Sequence, residues 1–93
     1  MVAVKEYSYA LNFVRNQTPK ICLAAVKNNG LALEYVRNQT PEICLAAVNE
    51  YSYALKYVRN QTPEIALSAV KKCVGALYFV NKEFLDYVND YLY

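Results

Sequence analysis

The chain has no histidine, no tryptophan and only two glycines in 93 residues. The lack of histidine removes the commonest metal ligand and the commonest general base. With Gly30 and Gly75 as its only glycines, the chain has no glycine-rich loop to cradle a phosphate. Charge of one sign is scarce as well. The formal net charge is +2 with no run of like charges, which gives no strong electrostatic case for nucleic acid or an anionic membrane. No apolar run approaches the ~18–20 residues that span a bilayer. Met1–Glu6 lacks the basic leader and apolar core of a signal peptide. The expectation is a cytoplasmic chain with no membrane association and no cofactor or metal. Three cysteines, an odd number, suit a reducing compartment.

Apolar residues are plentiful. They make up 56% of the chain, enough for a substantial core in one small domain covering residues 1–93. The phrase VRNQTP occurs at Val14–Pro19, Val36–Pro41 and Val58–Pro63, each copy 22 residues after the last. The register runs wider than the phrase. Ala10-Leu11, Ala32-Leu33, Ala54-Leu55 and Ala76-Leu77 share a column, as do the aromatic residues Phe13, Tyr35, Tyr57 and Phe79. A fixed period of this length signals stacked units that bury their apolar faces against each other.

Within a unit the punctuation reads helix, turn, helix. Thr40 before Pro41 is a helix start, because threonine caps a free N–H and proline suits the first helical position. Glu42 follows where the helix dipole favours an acid. Ile43–Val48 is apolar nearly all round, as in an inner helix between two neighbours. Asn28-Asn29-Gly30 and Asn49–Ser52 break that helix, with Gly30 expected in the left-handed region and Ser52 expected as the next N-cap. A shorter helix is predicted near Ser52–Arg59, with Lys56 and Arg59 pointing out. Asn60-Gln61 is expected to close it through a left-handed turn. VRNQTP is thus a helix end, a tight turn and a helix start. Asn-Gln-Thr also fits a glycosylation pattern, which is discounted here for want of a secretion signal.

The ends depart from the pattern. Met1–Lys5 aligns with Leu23–Lys27, so the chain opens inside a unit. An apolar N-terminal edge around Val2, Val4, Tyr7 and Tyr9 is expected, either as a homodimer seam or docking site or as a self-sufficient end. At the other end Phe84, Tyr87, Val88 and Tyr91 recur at helical spacing opposite Glu83, Asp86, Asn89 and Asp90. That is a C-terminal capping helix with a polar outer face. The predicted fold is all-α: a right-angled or gently curved α-solenoid of short helix-turn-helix repeats.

The phrases NQTPEICLAAVNEYSYALKYV and ICLAAVKNNGLALEYV resemble the repeats of the domain-of-unknown-function 4116 family, with their LAAVK-x-x-G-x-ALxY core. The resemblance runs from Ala3 to Phe79. It implies a helical repeat fold of a kind found in bacterial and viral proteins, often in tandem arrays. It implies no activity and supplies no catalytic residues.

Candidates for chemistry are thin. Glu42 and Glu64 share a column one unit apart, but both sit at helix starts, where acids are expected anyway. Cys73 lies beside Lys71 and Lys72, which lower a thiol pKa, yet no base accompanies it. Cys22 and Cys44 share a column with Ala66. Stacked helices sit roughly 8–10 Å apart, and a disulfide needs Cα atoms within about 7 Å. A small buried slot is the better reading than a disulfide, metal or redox pair. An enzyme is not expected.

Binding surfaces carry more signal. The outward columns read Asn12, Glu34, Lys56, Tyr78 and Arg15, Arg37, Arg59, Asn81. Ten tyrosines exceed what the core columns use, and tyrosine and arginine are enriched at interface hot spots. Arg15, Arg37, Lys56, Arg59, Tyr51 and Tyr53 are therefore the candidate partner-binding residues. The expected function is non-catalytic binding of another protein, for example as a small phage or viral inhibitor or adaptor acting on a host protein. One alternative is RNA binding, with the arginine column tracking phosphates and Tyr7, Tyr9, Tyr51 and Tyr53 stacking bases. Another is a structural fragment or consensus of a longer array. The bland reading of the face is solvation, with Glu34 pairing Arg37 along the helix.

Overall fold

A computed structural model of the chain describes residues 8–93, and all of its regular structure there is helical. Val2, Val4 and Tyr7 of the expected N-terminal edge lie outside the described residues. Three α-helices of ten residues start at the three prolines: α1 (Pro19–Asn28), α2 (Pro41–Glu50) and α3 (Pro63–Lys72). Between them run 3₁₀ helices of six residues: η1 (Ser8–Phe13), η2 (Gly30–Tyr35), η3 (Ser52–Tyr57) and η4 (Val74–Phe79). A short turn η5 (Lys82–Phe84) and the last helix α4 (Leu85–Leu92) close the chain.

The helix starts follow the sequence logic. Thr18, Thr40 and Thr62 are extended N-caps, and each Oγ1 accepts the N–H three residues on, from Ile21, Ile43 and Ile65, at 3.2 Å. The prolines lose nothing there, since that N–H would have no helical partner. Each α-helix ends in one extended residue, Asn29, Tyr51 or Cys73, with φ near −150°. That single residue redirects the chain into the 3₁₀ helix.

The second helix of each unit is 3₁₀, not α, and η3 stops at Tyr57 rather than Arg59. Its buried positions explain the tighter winding. Gly30, Leu33 and Val36 are buried, and so are Ser52, Leu55 and Val58. A spacing of three places these side chains in one line when there are three residues per turn. Neither left-handed turn forms, because no described residue has positive φ. Gly30 is needed instead for close approach. A Cβ there would lie 2.5 Å from the Ala47 carbonyl oxygen and 3.1 Å from the Tyr51 Cβ of the next unit. Ser52 is not the N-cap of η3. Tyr51 holds that position without a side-chain bond, whereas its column mate Asn29 accepts the Leu31 N–H at 3.0 Å.

The units stack in sequence. Helix α1 packs on α2 and α2 on α3, while η1 to η4 pack each on the next in a parallel layer. The array is elongated, 43 × 19 × 17 Å. Its core lies between the two layers and includes the predicted columns: Leu11, Leu33 and Leu55; Ala32, Ala54 and Ala76; Val26, Val48 and Val70. α2 is open on one side, since Leu45 and Ala46 are only half-buried. Helix α4 packs on α3, but through a different stripe from the one expected. Val88 is buried with Phe84, Leu85 and Leu92 against the core, whereas Tyr87 and Tyr91 are exposed. The aliphatic residues face in, and the amphipathic phenols stay at the wet edge. The Lys71 ammonium stands 4.8 Å over the Tyr91 ring.

Candidate functional site

The repeated phrase builds joints between units. Gln39 is half-buried at the turn, and its Nε2 donates to the carbonyls of Leu33, at 3.2 Å, and of Tyr57 in the next unit, at 2.9 Å. Its Oε1 accepts the backbone N–H of Arg59 at 3.0 Å. Gln17 does the same with Leu11, Tyr35 and Arg37, and Gln61 reaches Phe79 and Asn81. The arginines answer in the other direction. Arg59 Nη2 donates to the Val36 and Arg37 carbonyls of the preceding unit at 2.7 and 2.8 Å. Arg37 donates to the carbonyls of Asn12, Val14 and Arg15. Hydrogen bonds from a charged donor are the stronger kind, so these arginines have a structural task. The sequence reading of the turn missed the glutamine joint altogether. Its one signal was the fixed glutamine in the phrase, which neither capping nor turn formation requires.

Of the candidate binding residues, the structure brings together Tyr51, Tyr53 and Lys56. They line a cleft of about 340 Å³ in the 3₁₀ layer, with Tyr57, Tyr78 and Phe79. The rings meet edge to face: Tyr51 and Tyr53 at 5.6 Å between centroids, Tyr53 and Phe79 at 5.9 Å, Tyr78 and Phe79 at 5.2 Å. Lys56, the one charged residue of the lining, stands 5.0 Å over the Tyr57 ring. The cleft exists because Gly75 interrupts a column otherwise filled by Tyr9, Leu31 and Tyr53. A Cβ at Gly75 would collide with the Tyr53 hydroxyl. Arg15, Arg37 and Arg59 are exposed on the turns but do not line the cleft. Tyr9 is exposed at the first unit. A second depression of about 700 Å³, between α1 and α2, is shallow and open, with Lys27, Glu42, Leu45 and Glu50 around it. Its charged tips leave little enclosed surface, so the aromatic cleft is the better candidate.

The cysteines divide into two kinds. Cys22 and Cys44 are buried free thiols in the slot that Ala66 fills in the third copy. Each donates weakly to the glutamine Oε1 of its own turn at 3.7 Å. Burial pushes both thiols up, and the nearby Arg37 and Arg59 charges only partly offset it. Cys73 is half-exposed and shifted down. The cause is first its hydrogen bond with the Tyr53 hydroxyl, then the backbone N–H groups of Gly75 and Ala76. Lys71 and Lys72, expected from the sequence to lower it, are not among those causes. Among the described residues no group of three or more His, Cys, Asp or Glu side chains is placed to hold a metal ion, and no helix is long and apolar enough to cross a membrane.

No curated protein and no solved structure matches the chain. One family description, domain of unknown function (DUF4116), matches residues 18–62, the segment from the first Thr cap through η3 to the third. That segment holds two complete units and the joint between them, and the repeat continues on both sides of it in the same register. The chain is thus similar to the DUF4116 family over residues 18–62, and it is an all-α protein whose described helices repeat in the same register.

Proposed function

We propose that the chain is a non-catalytic protein-binding module whose contact surface is the aromatic cleft of the 3₁₀ layer. The observation that carries this reading is the convergence of Tyr51, Tyr53, Tyr57, Tyr78 and Phe79 from two successive units around Lys56. Tyr78 is 87% exposed, a large ring held at the surface with no core to fill. Rigid aromatic rings beside a cation supply contact area at low entropy cost, which is the composition of interface hot spots. The arginines favour protein over RNA as the partner. Arg37 and Arg59 already donate to main-chain carbonyls, so they are poorly placed to track phosphates. In its specific form the module is a small cytoplasmic inhibitor or adaptor, of viral origin, that occludes a host protein.

The test is capture from a lysate of the source cell, with and without nuclease, using the parent chain and Tyr78→Ser and Lys56→Glu variants. The expected result is one protein that survives nuclease and is lost with either variant. Partners that vanish with nuclease, and whose binding falls steeply with salt, would replace this reading with RNA binding. Capture that ignores both variants would move the interface off the cleft.

A further inference from the structure

In a 3₁₀ helix, residues three apart line up. The fifth residue of each of η1 to η4 points outward, opposite the buried line, and the four make one stripe across the stacked units. It reads Asn12, Glu34, Lys56 and Tyr78, all exposed. The stripe carries two charges of opposite sign, both in the middle units, with neutral side chains on either flank. Inside the chain each charge rests against a phenol, Lys56 over the Tyr57 ring and Glu34 on the Tyr35 hydroxyl. Arg37, which the sequence offered to Glu34, donates instead to carbonyls of the preceding turn.

The order neutral, acid, base, neutral is its own complement when reversed. A two-fold axis standing on the stripe between η2 and η3 carries η1 onto η4 and η2 onto η3. Glu34 of one copy then meets Lys56 of the other, and the symmetry makes that pair twice. The same axis brings the exposed rings of the outer units together. Phe13, 77% exposed, falls near Tyr78 of the second copy, which is 87% exposed. An array of 43 × 19 × 17 Å offers roughly 800 Å² on a long face, about what each partner buries in a standard interface.

We propose that two copies of the chain pair antiparallel through the 3₁₀ face, held by two Glu34–Lys56 contacts and by the rings that flank them. The pairing uses the same patch on both copies, so it closes at the dimer. It covers the aromatic cleft, so self-association and capture of another protein compete for one face. The pairing does not rest on the protein-binding reading, because Glu34 lies outside the cleft lining and can be changed without altering it.

Sedimentation equilibrium of the full chain from micromolar to millimolar concentration tests this. The mass should rise to that of a dimer and no further. Glu34→Lys sets lysine against lysine at both contacts, and Lys56→Glu sets glutamate against glutamate. Each variant alone should associate at least tenfold more weakly than the parent, since like charges across an interface suppress pairing. An equimolar mixture of the two restores both contacts and should form a one-to-one dimer as tightly as the parent. The double variant Glu34→Lys, Lys56→Glu should dimerise on its own. Both positions are exposed, and circular dichroism checks that the variants keep the parent helicity. A parent that stays monomeric throughout overturns the proposal, as does one that grows past the dimer. Single variants that pair as the parent does, or a mixture that stays monomeric, overturn it equally.

Discussion

Replacing Gln39 by alanine isolates one inter-unit joint. The side chain makes three hydrogen bonds of ordinary length to the main chain, at 3.2, 2.9 and 3.0 Å, two of them into the next unit. A typical intramolecular hydrogen bond is worth ~0.5–1.5 kcal/mol net. The turn is half-exposed, so water can take over part of what is lost. The expected cost is about 2–3 kcal/mol, which for a domain of this size lowers Tm by ~10–20 °C. Urea unfolding should show a lower midpoint at an unchanged slope. Asn38→Ala, next door on an exposed residue, should stay within about 0.5 kcal/mol of the parent. Gln39→Glu sharpens the test. It keeps the acceptor for Arg59 but turns the donor into a second acceptor facing two carbonyls. At neutral pH it should cost more than alanine. Those carbonyls favour the protonated carboxyl, so its folded pKa is raised, and the penalty should shrink as pH falls through that value. If Gln39→Ala unfolds with the parent, the glutamine is not holding units together.

Five further outcomes follow from the same geometry. Gly30→Ala should destabilise by ~1–3 kcal/mol in thermal unfolding, because its Cβ meets backbone of the next unit. Gly75→Ala should cost less, since only the movable end of Tyr53 must yield. In alkylation followed by mass spectrometry, Cys73 should react first, and Cys22 and Cys44 only as the protein opens, because the thiolate is the reactive form. Tyr53→Phe removes the hydrogen bond that lowers Cys73, so its labelling at neutral pH should slow. Charge reversal of Arg37 and Arg59 should reduce thermal stability measurably, since it removes donors from the turn carbonyls. Loss of partner binding in those variants would therefore not locate the interface, and Tyr78 and Lys56 are the cleaner probes.

The α-helices and the stacking were legible in the sequence because both are written in local chemistry repeated at a fixed period. Thr-Pro fixes each start, and the Ala-Leu and Ala-Val columns fix the core. The 3₁₀ form of the second helix was legible in principle, in the spacing of three that joins Gly30, Leu33 and Val36, but a six-residue segment gives that spacing little weight against a short α-helix. The left-handed turns were expected because glycine and asparagine usually signal them. Here a single extended residue makes the bend, and Gly30 is small because the Ala47 carbonyl lies against it. The candidate site was legible in part. Tyrosine excess pointed to Tyr51, Tyr53 and Lys56, but the cleft depends on Gly75, whose effect appears only when adjacent units are stacked. The arginines read as an outward column because no sequence pattern shows that the carbonyls of the preceding turn lie within their reach. The capping helix was placed correctly but turned by the wrong residues: its tyrosines fit the helical period as well as Leu85, Val88 and Leu92 do.

The most direct measurement is amide hydrogen exchange, residue by residue, on the intact chain. If the phrase is a joint, the N–H groups of Arg37, Arg59 and Asn81 are held by Gln17, Gln39 and Gln61 although all three residues are exposed. They should exchange far more slowly than those of the neighbouring Asn38 and Asn60. Exchange of the arginine amides as fast as their asparagine neighbours would contradict the claim that the repeated phrase holds one unit to the next.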